Sequence, residues 1–222
     1  MKANYPDVPM MLCSGGGARC DYEALKYFTE FWCSDNTDPV ERIYIQWGFS
    51  QFFPAKAMDA HVTSWNKATS VKFRTDVASM CKLGFDIGLK ELTADELTYC
   101  QTAVANWKRL QSAIMDGDQY RLVSPYEGNH MALNYVSKDA NKAVLFAYDI
   151  HPRFQEKLMT VKLQGLNPNK QYKVEEINLM PSTESKLESS GKVYSGDYLM
   201  KAGISLTIGN TYESTVLLIT EQ

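Results

Sequence analysis

The hydrophobic pattern of this chain changes once, at Asp116-Gly117-Asp118, and no other feature constrains the fold as strongly. Before that point short apolar runs alternate with helical periodicity. Val8–Cys13 (VPMMLC) is a continuous apolar run ended by Ser-Gly-Gly-Gly, which suits a buried strand. Tyr22–Tyr27 predicts a short helix with Asp21 at its N-cap, and Phe28–Trp32 a second strand ending at Cys33-Ser34-Asp35. Asp38-Pro39-Val40-Glu41 joins an N-cap aspartate, a proline in the first helical position and a glutamate three residues after the cap. Val40, Ile43, Tyr44 and Trp47 then follow at helical spacing. Ala60–Thr63 reads as the end of a third strand, and Val71–Leu83 as a helix broken at Leu83-Gly84-Phe85. Thr93-Ala94-Asp95-Glu96 is a capping box that opens a helix striped by Leu97, Cys100, Val104, Trp107, Leu110 and Ile114. Such alternation of strand, turn and helix predicts α/β organisation with parallel strands.

After residue 117 the pattern is of short strands: Leu133–Val136, Ala143–Ile150, Met159–Leu163, Tyr172–Ile177, Ser205–Ile208 and Ser214–Ile219. Turn signals such as Lys138-Asp139-Ala140-Asn141, Asn167-Pro168-Asn169 and Gly209-Asn210 separate them. The spacing predicts an antiparallel β-sandwich, with nothing helical after Ile114 outside Pro152–Gln155. The expectation is therefore an α/β unit over 1–117 and an all-β unit over 118–222.

Of the 222 residues 45% are apolar and 22% charged, enough to bury a sizeable core. A net charge of −3 without any Lys or Arg run supplies no basic surface for nucleic acid. No apolar run reaches membrane-spanning length, and no signal peptide is expected before the first strand. The abrupt start, MKANYPDVPMML, suggests a chain that begins in the middle of something larger. The cysteines, Cys13, Cys20, Cys33, Cys81 and Cys100, are odd in number, with no CxxC pair and no histidine at ligand spacing. Neither zinc nor a disulfide framework is expected; most of these thiols should be reduced and buried.

The chemistry concentrates in Leu12–Asp38. Three consecutive glycines mark tight turning or close approach of backbone to another group. Asp35 and Asp38 follow Phe31-Trp32, so carboxylates stand beside bulky apolar surface, where a carboxyl group is kept protonated for acid catalysis. Asp35 is the candidate acid/base, although loop aspartates more often make local turn hydrogen bonds. For Asp38 the DPVE sequence favours helix capping. Arg19 and Asp21 are expected to pair or cap, and His61 to be structural.

These residues resemble the retaining α-galactosidases of glycoside hydrolase family 36. The resemblance rests on Cys13-Ser14-Gly15-Gly16-Gly17 with Arg19 and Asp21; on Trp32-Cys33-Ser34-Asp35 with Asp38 and Arg42; on Ile45-Gln46-Trp47-Gly48; on Met58-Asp59-Ala60-His61-Val62; and on Gly117 to Pro125. It implies the last three strand–helix units of a (β/α)8 TIM barrel followed by a C-terminal antiparallel β-sandwich domain. It implies Asp35 as general acid/base and Cys13, Ser14, Gly15 and Gly16 as residues lining the galactose subsite, with an α-galactoside oligosaccharide as substrate and no cofactor or metal. The family's nucleophile lies in a Lys-x-Asp-x-Asn type segment, which this sequence lacks. The chain alone is then expected to be inactive. Open strand edges and an apolar inner face would drive self-association or dependence on a missing N-terminal region. Departures from the family pattern, namely Met11-Leu12, Ala18, Cys20 and Asp59, bear on specificity more than on reaction class. A non-catalytic carbohydrate-binding or structural β-sandwich module remains the alternative.

Overall fold

A computed structural model describes residues 4–13, 15–154, 156, 160–206 and 208–222. Its first half carries strands β1 (Met11–Leu12), β2 (Glu30–Trp32), β3 (Met58–Thr63) and β4 (Lys82–Asp86), paired in that order as one parallel sheet. Helices α1 (Pro39–Phe49), α2 (Val71–Ala78) and α3 (Ala94–Asp116) follow β2, β3 and β4. Asp38 caps α1 by accepting from the amides of Val40 (2.8 Å) and Glu41 (3.3 Å). Thr93 and Glu96 form the full reciprocal capping box of α3. Asp21 accepts from the amide of Ala24, opening a single 3-10 turn, Ala24–Lys26, where a short helix is expected.

The sequence pattern over Val71–Leu83 is corrected by the fold. The helix stops at Ala78, and Lys82–Asp86 forms a fourth parallel strand, so the sheet has four strands where three are expected. Pairing with β3 satisfies the backbone that a longer helix would have satisfied locally. Gly84 permits it: a Cβ there would stand 2.4 Å from the His61 ring on the neighbouring strand. The glycine that looks like a helix breaker is a site of side-chain passage.

The second half builds β5 (Asp118–Val123), β6 (His130–Val136), β7 (Lys142–Asp149), β9 (Gln171–Ile177), β10 (Val193–Ser195) and β12 (Glu213–Glu221). They form one antiparallel sheet in the order β10-β9-β12-β7-β6-β5. Between them, β8 (Thr160–Val161) and β11 (Ile204–Ser205) pair as a separate ribbon. A short helix, α4 (Gly196–Lys201), is capped by the Ser195 side chain, and it corrects the expectation of no helix in this half. The patterning missed β5 and β10 too. The expected strand Met159–Leu163 includes Met159, and the one over Ser205–Ile208 includes Thr207, both outside the described residues.

The large sheet is covered on both faces, which is why β6, β7 and β12 are near-continuously apolar rather than alternating. Leu133, Tyr135, Phe146, Tyr148 and Leu218 share a core with Ile43, Phe73, Val77 and Leu110 of the helices. Leu145, Leu217 and Ile219 pack from the other face with Val161, Leu166, Leu199 and Ile204. A buried polar knot joins the halves. Asp76 of α2, with no exposed surface, accepts at Oδ1 from Tyr99 (3.1 Å) and Asn178 (2.8 Å). At Oδ2 it accepts from Lys72 (2.6 Å) and Ser214 (2.8 Å).

Phe31, Met58, Ala60 and Val62 face the helices, so the alternate residues of the parallel strands line the opposite face. That face carries Glu30, Trp32, Asp59, His61, Thr63, Lys82 and Asp86, with Glu30 and Lys82 ion-paired. It is polar, which corrects the expectation of an apolar inner face. Among the described residues no helix is long and apolar enough to cross a membrane, and no group of His, Cys, Asp and Glu could hold a metal ion.

Candidate active site

The loop that joins β2 to α1 holds itself rigid. The Ser34 hydroxyl accepts from the Asn36 amide (3.1 Å), and the Asn36 side chain accepts from the Asp38 amide (3.1 Å). Asp38 then caps the helix, so each polar group hands the chain to the next. Arg42, 2% exposed on α1, ties this loop to the next strand. Its guanidinium donates to the carbonyls of Ser34 (3.1 Å) and Asp59 (2.6 Å) and to the Gln46 side chain (3.2 Å). Burial lowers the Arg42 pKa and pushes the Asp59 carboxyl up to about 6, with Arg42 opposing that rise.

Trp32 is fixed between two partners. The Arg42 guanidinium lies 5.3 Å from its ring centroid, and the His61 ring lies 4.6 Å away on the other strand. Held there, the indole N–H donates to Asp35 Oδ1 at 2.9 Å. Burial lowers the His61 pKa, so the ring that packs on Trp32 is favoured in its neutral form.

The glycine run meets the same carboxylate. Gly15, Gly16 and Gly17 all have positive φ, at 65°, 57° and 86°. A Cβ on Gly16 would stand 2.9 Å from the Asp35 amide nitrogen and 3.3 Å from its carboxyl, and one on Gly17 would stand 2.1 Å from the Cys33 carbonyl. The glycines at these two positions therefore allow chain to lie on chain and set the position of Asp35. Gly15 faces open space. Cys13 is exposed, and Ser14 lies outside the described residues.

Asp35 itself is exposed, not buried beside the ring as the sequence suggests. It meets Trp32 through the indole N–H because the loop turns there toward α1, leaving the carboxyl on the rim of the sheet. It lines a cavity of about 370 Å³ with Trp32, Thr37, Thr63, Ser64, Trp65 and Asp86. A second cavity, about 430 Å³ between α2 and the β-half around Glu176 and Tyr212, shares no lining residue with it. All five cysteines are free; Cys33, Cys81 and Cys100 are buried, and burial pushes the Cys33 thiol up to about 12. The sequence reading set Asp35 beside Trp32 and took His61 as structural; it missed that Arg42 and His61 together fix the Trp32 ring, and that Trp65 and Asp86 share the cavity with Asp35. The Trp-x-x-Asp spacing of Trp32 and Asp35 was the one available signal.

The carboxylate of Asp35 follows the carboxyl end of a parallel strand, the end at which α/β barrel enzymes carry their catalytic groups, and the antiparallel β-half packs on the helices behind it. The Melibiase family model matches residues 1–117, and the model of the glycosyl hydrolase family 36 C-terminal domain matches residues 130–219. The chain belongs to glycoside hydrolase family 36. It is 31% identical over 228 residues to alpha-galactosidase 2 of Hypocrea jecorina, covering 100% of this chain and 29% of that protein. It is 34% identical over 209 residues to alpha-galactosidase AgaA of Geobacillus stearothermophilus, covering 92% of this chain and 27% of the relative. The crystal structure of AgaB from Geobacillus stearothermophilus matches at a TM-score of 0.88 and 32% identity, over 100% of this chain and 30% of that one. An AgaA variant solved in complex with raffinose matches at 0.88 and 31%, with the same coverage. The chain thus spans less than a third of the length of these relatives.

Proposed function

We propose that this chain supplies the acid/base half of a retaining α-galactosidase active site. The four parallel strands are read as part of a (β/α)8 barrel over 1–117, with the β-domain over 118–222 packed against its helices. The substrate class is an oligosaccharide with a terminal α-linked galactose. A carboxylate nucleophile from a region outside this chain attacks the anomeric carbon, and the bond to the leaving oxygen breaks as Asp35 gives that oxygen its proton. Asp35 then takes a proton from the water that attacks the same carbon and releases galactose with retained configuration. Retention needs the two carboxyl groups roughly 5–5.5 Å apart, so the completing region must bring its nucleophile to the polar inner face. Cys13, Ser14, Gly15 and Gly16 are proposed to line the galactose subsite, with Gly16 also seating Asp35. The observation that carries this reading is the convergence of Trp32 Nε1 and the left-handed Gly16 turn on one carboxylate.

The test measures aryl α-galactoside hydrolysis by the chain alone and by the chain joined to the preceding region of AgaA. The joined protein is expected to be active and the chain alone inactive. Asp35→Asn should then lower kcat by at least about 10²-fold, the range of a lost general acid/base. Activity of the chain alone, or an Asp35→Asn variant as fast as the parent, would overturn the reading.

A further inference from the structure

We propose that Trp65 is an aromatic platform for the sugar that leaves, selecting saccharide leaving groups at the Asp35 site; this rests on the reading above. A general acid gives its proton to the glycosidic oxygen, so the group beyond that oxygen must occupy the space next to the acid. Next to Asp35 that space is the cavity of about 370 Å³, within the range of about 300–1,000 Å³ that small-ligand sites occupy. Trp32 on its inner wall is engaged by Arg42, His61 and Asp35. Trp65 on its outer rim is 58% exposed.

The loop beneath Trp65 is fixed rather than slack. The Trp65 amide donates to the Thr63 hydroxyl (3.3 Å), and that hydroxyl donates to Thr37 (3.0 Å) on the loop after Asp35. Ser64 and Lys67 both donate to Glu91 Oε2, each at 3.1 Å, and these hydrogen bonds lower the Glu91 pKa. Asn66 turns the chain at φ 52°, and its carbonyl accepts from the Thr69 hydroxyl (2.7 Å). An indole held this way gains little apolar burial from folding. It presents a flat apolar face with a polar edge beside two carboxylates and two threonines, which matches a pyranose with its C–H face and hydroxyl rim.

The test compares wild type, Trp65→Ala and Trp65→Phe in the joined protein on melibiose and on α-galactosyl fluoride, whose leaving group has no ring. Trp65→Ala should lower the ratio of kcat/KM for melibiose to that for the fluoride about tenfold, mainly through KM, and Trp65→Phe should recover most of it. Calorimetry in the Asp35→Asn background supplies a readout independent of turnover: Trp65→Ala should weaken melibiose about tenfold relative to galactose. An unchanged ratio in both experiments, with wild type binding and hydrolysing normally, overturns the platform alone. Wild type that neither binds galactose nor hydrolyses either substrate overturns the functional reading, and the platform with it.

Discussion

Arg42 and Asp59 show how a single buried cation organises this site and what that costs. Arg42 directs its donors to one loop carbonyl, one strand carbonyl and a glutamine, leaving the Asp59 carboxyl with an unpartnered buried Oδ2. Burial therefore raises the Asp59 pKa from 3.8 to about 6. Between those values the native state keeps a proton that the unfolded chain has released, so stability falls as pH rises from about 4 to about 6. Above that window the loss is complete. Asp59→Asn should be more stable than wild type at pH 7, by on the order of 1–3 kcal/mol and with a higher melting temperature, and match it near pH 4. Thermal melts of both proteins at the two pH values check this; a constant difference would refute it. His61 works in the opposite sense, since its lowered pKa removes stability as pH falls below the ordinary histidine value. The difference between variant and wild type isolates Asp59 from that background.

At the scale of elements, helix α1 does most to make the site. It starts where Asp38 caps it, and its first turns deliver Arg42 beneath Trp32 and the Asp35 loop. Asp38→Ala should cost about 1 kcal/mol of stability, read as a lower urea midpoint at unchanged slope. It should also slow the joined enzyme, because the cap and the Asn36 hydrogen bond belong to the same loop as Asp35. The capping residues of α1 and α3 were legible because capping is decided within four residues of chain. The end of α2 and strand β4 were not, since Lys82–Asp86 becomes a strand only by pairing with β3 across the fold. Strand β5 escaped for a related reason: its register with β6 is interrupted between Arg121 and Val123, which blurs the alternation.

For the molecule as a whole, the two halves are one packed body around Asp76. Four side chains from α2, α3, the end of β9 and β12 satisfy its carboxylate, and Tyr148 donates to its backbone carbonyl at 2.8 Å. Asp76→Ala would strand the Lys72 ammonium, 17% exposed, together with buried polar groups on the β-half. Loss of one partner from such a buried pair costs about 3–5 kcal/mol. Chemical denaturation followed by tryptophan fluorescence, which reports the α/β half, and by far-UV circular dichroism should give one transition in wild type. In Asp76→Ala the midpoint should drop sharply; an unchanged midpoint would show the knot to be dispensable.

Local chemistry in the sequence was enough to place the caps of α1 and α3, with Asp38 as a capping residue, the change of class at residue 117 and the turn at Gly15–Gly17. Each depends on residues a few positions apart, so backbone preference and short-range hydrogen bonding settle it. Tertiary structure decided the rest. Which strand completes the parallel sheet, why Gly84 must lack a side chain, how Trp32 is aimed and that Trp65 shares a cavity with Asp35 all depend on strands and loops far apart in sequence. The opening at Asp35 belongs to this second group. A loop carboxylate beside a tryptophan reads as buried until the fold shows that the ring meets it through its N–H, at the rim of the sheet.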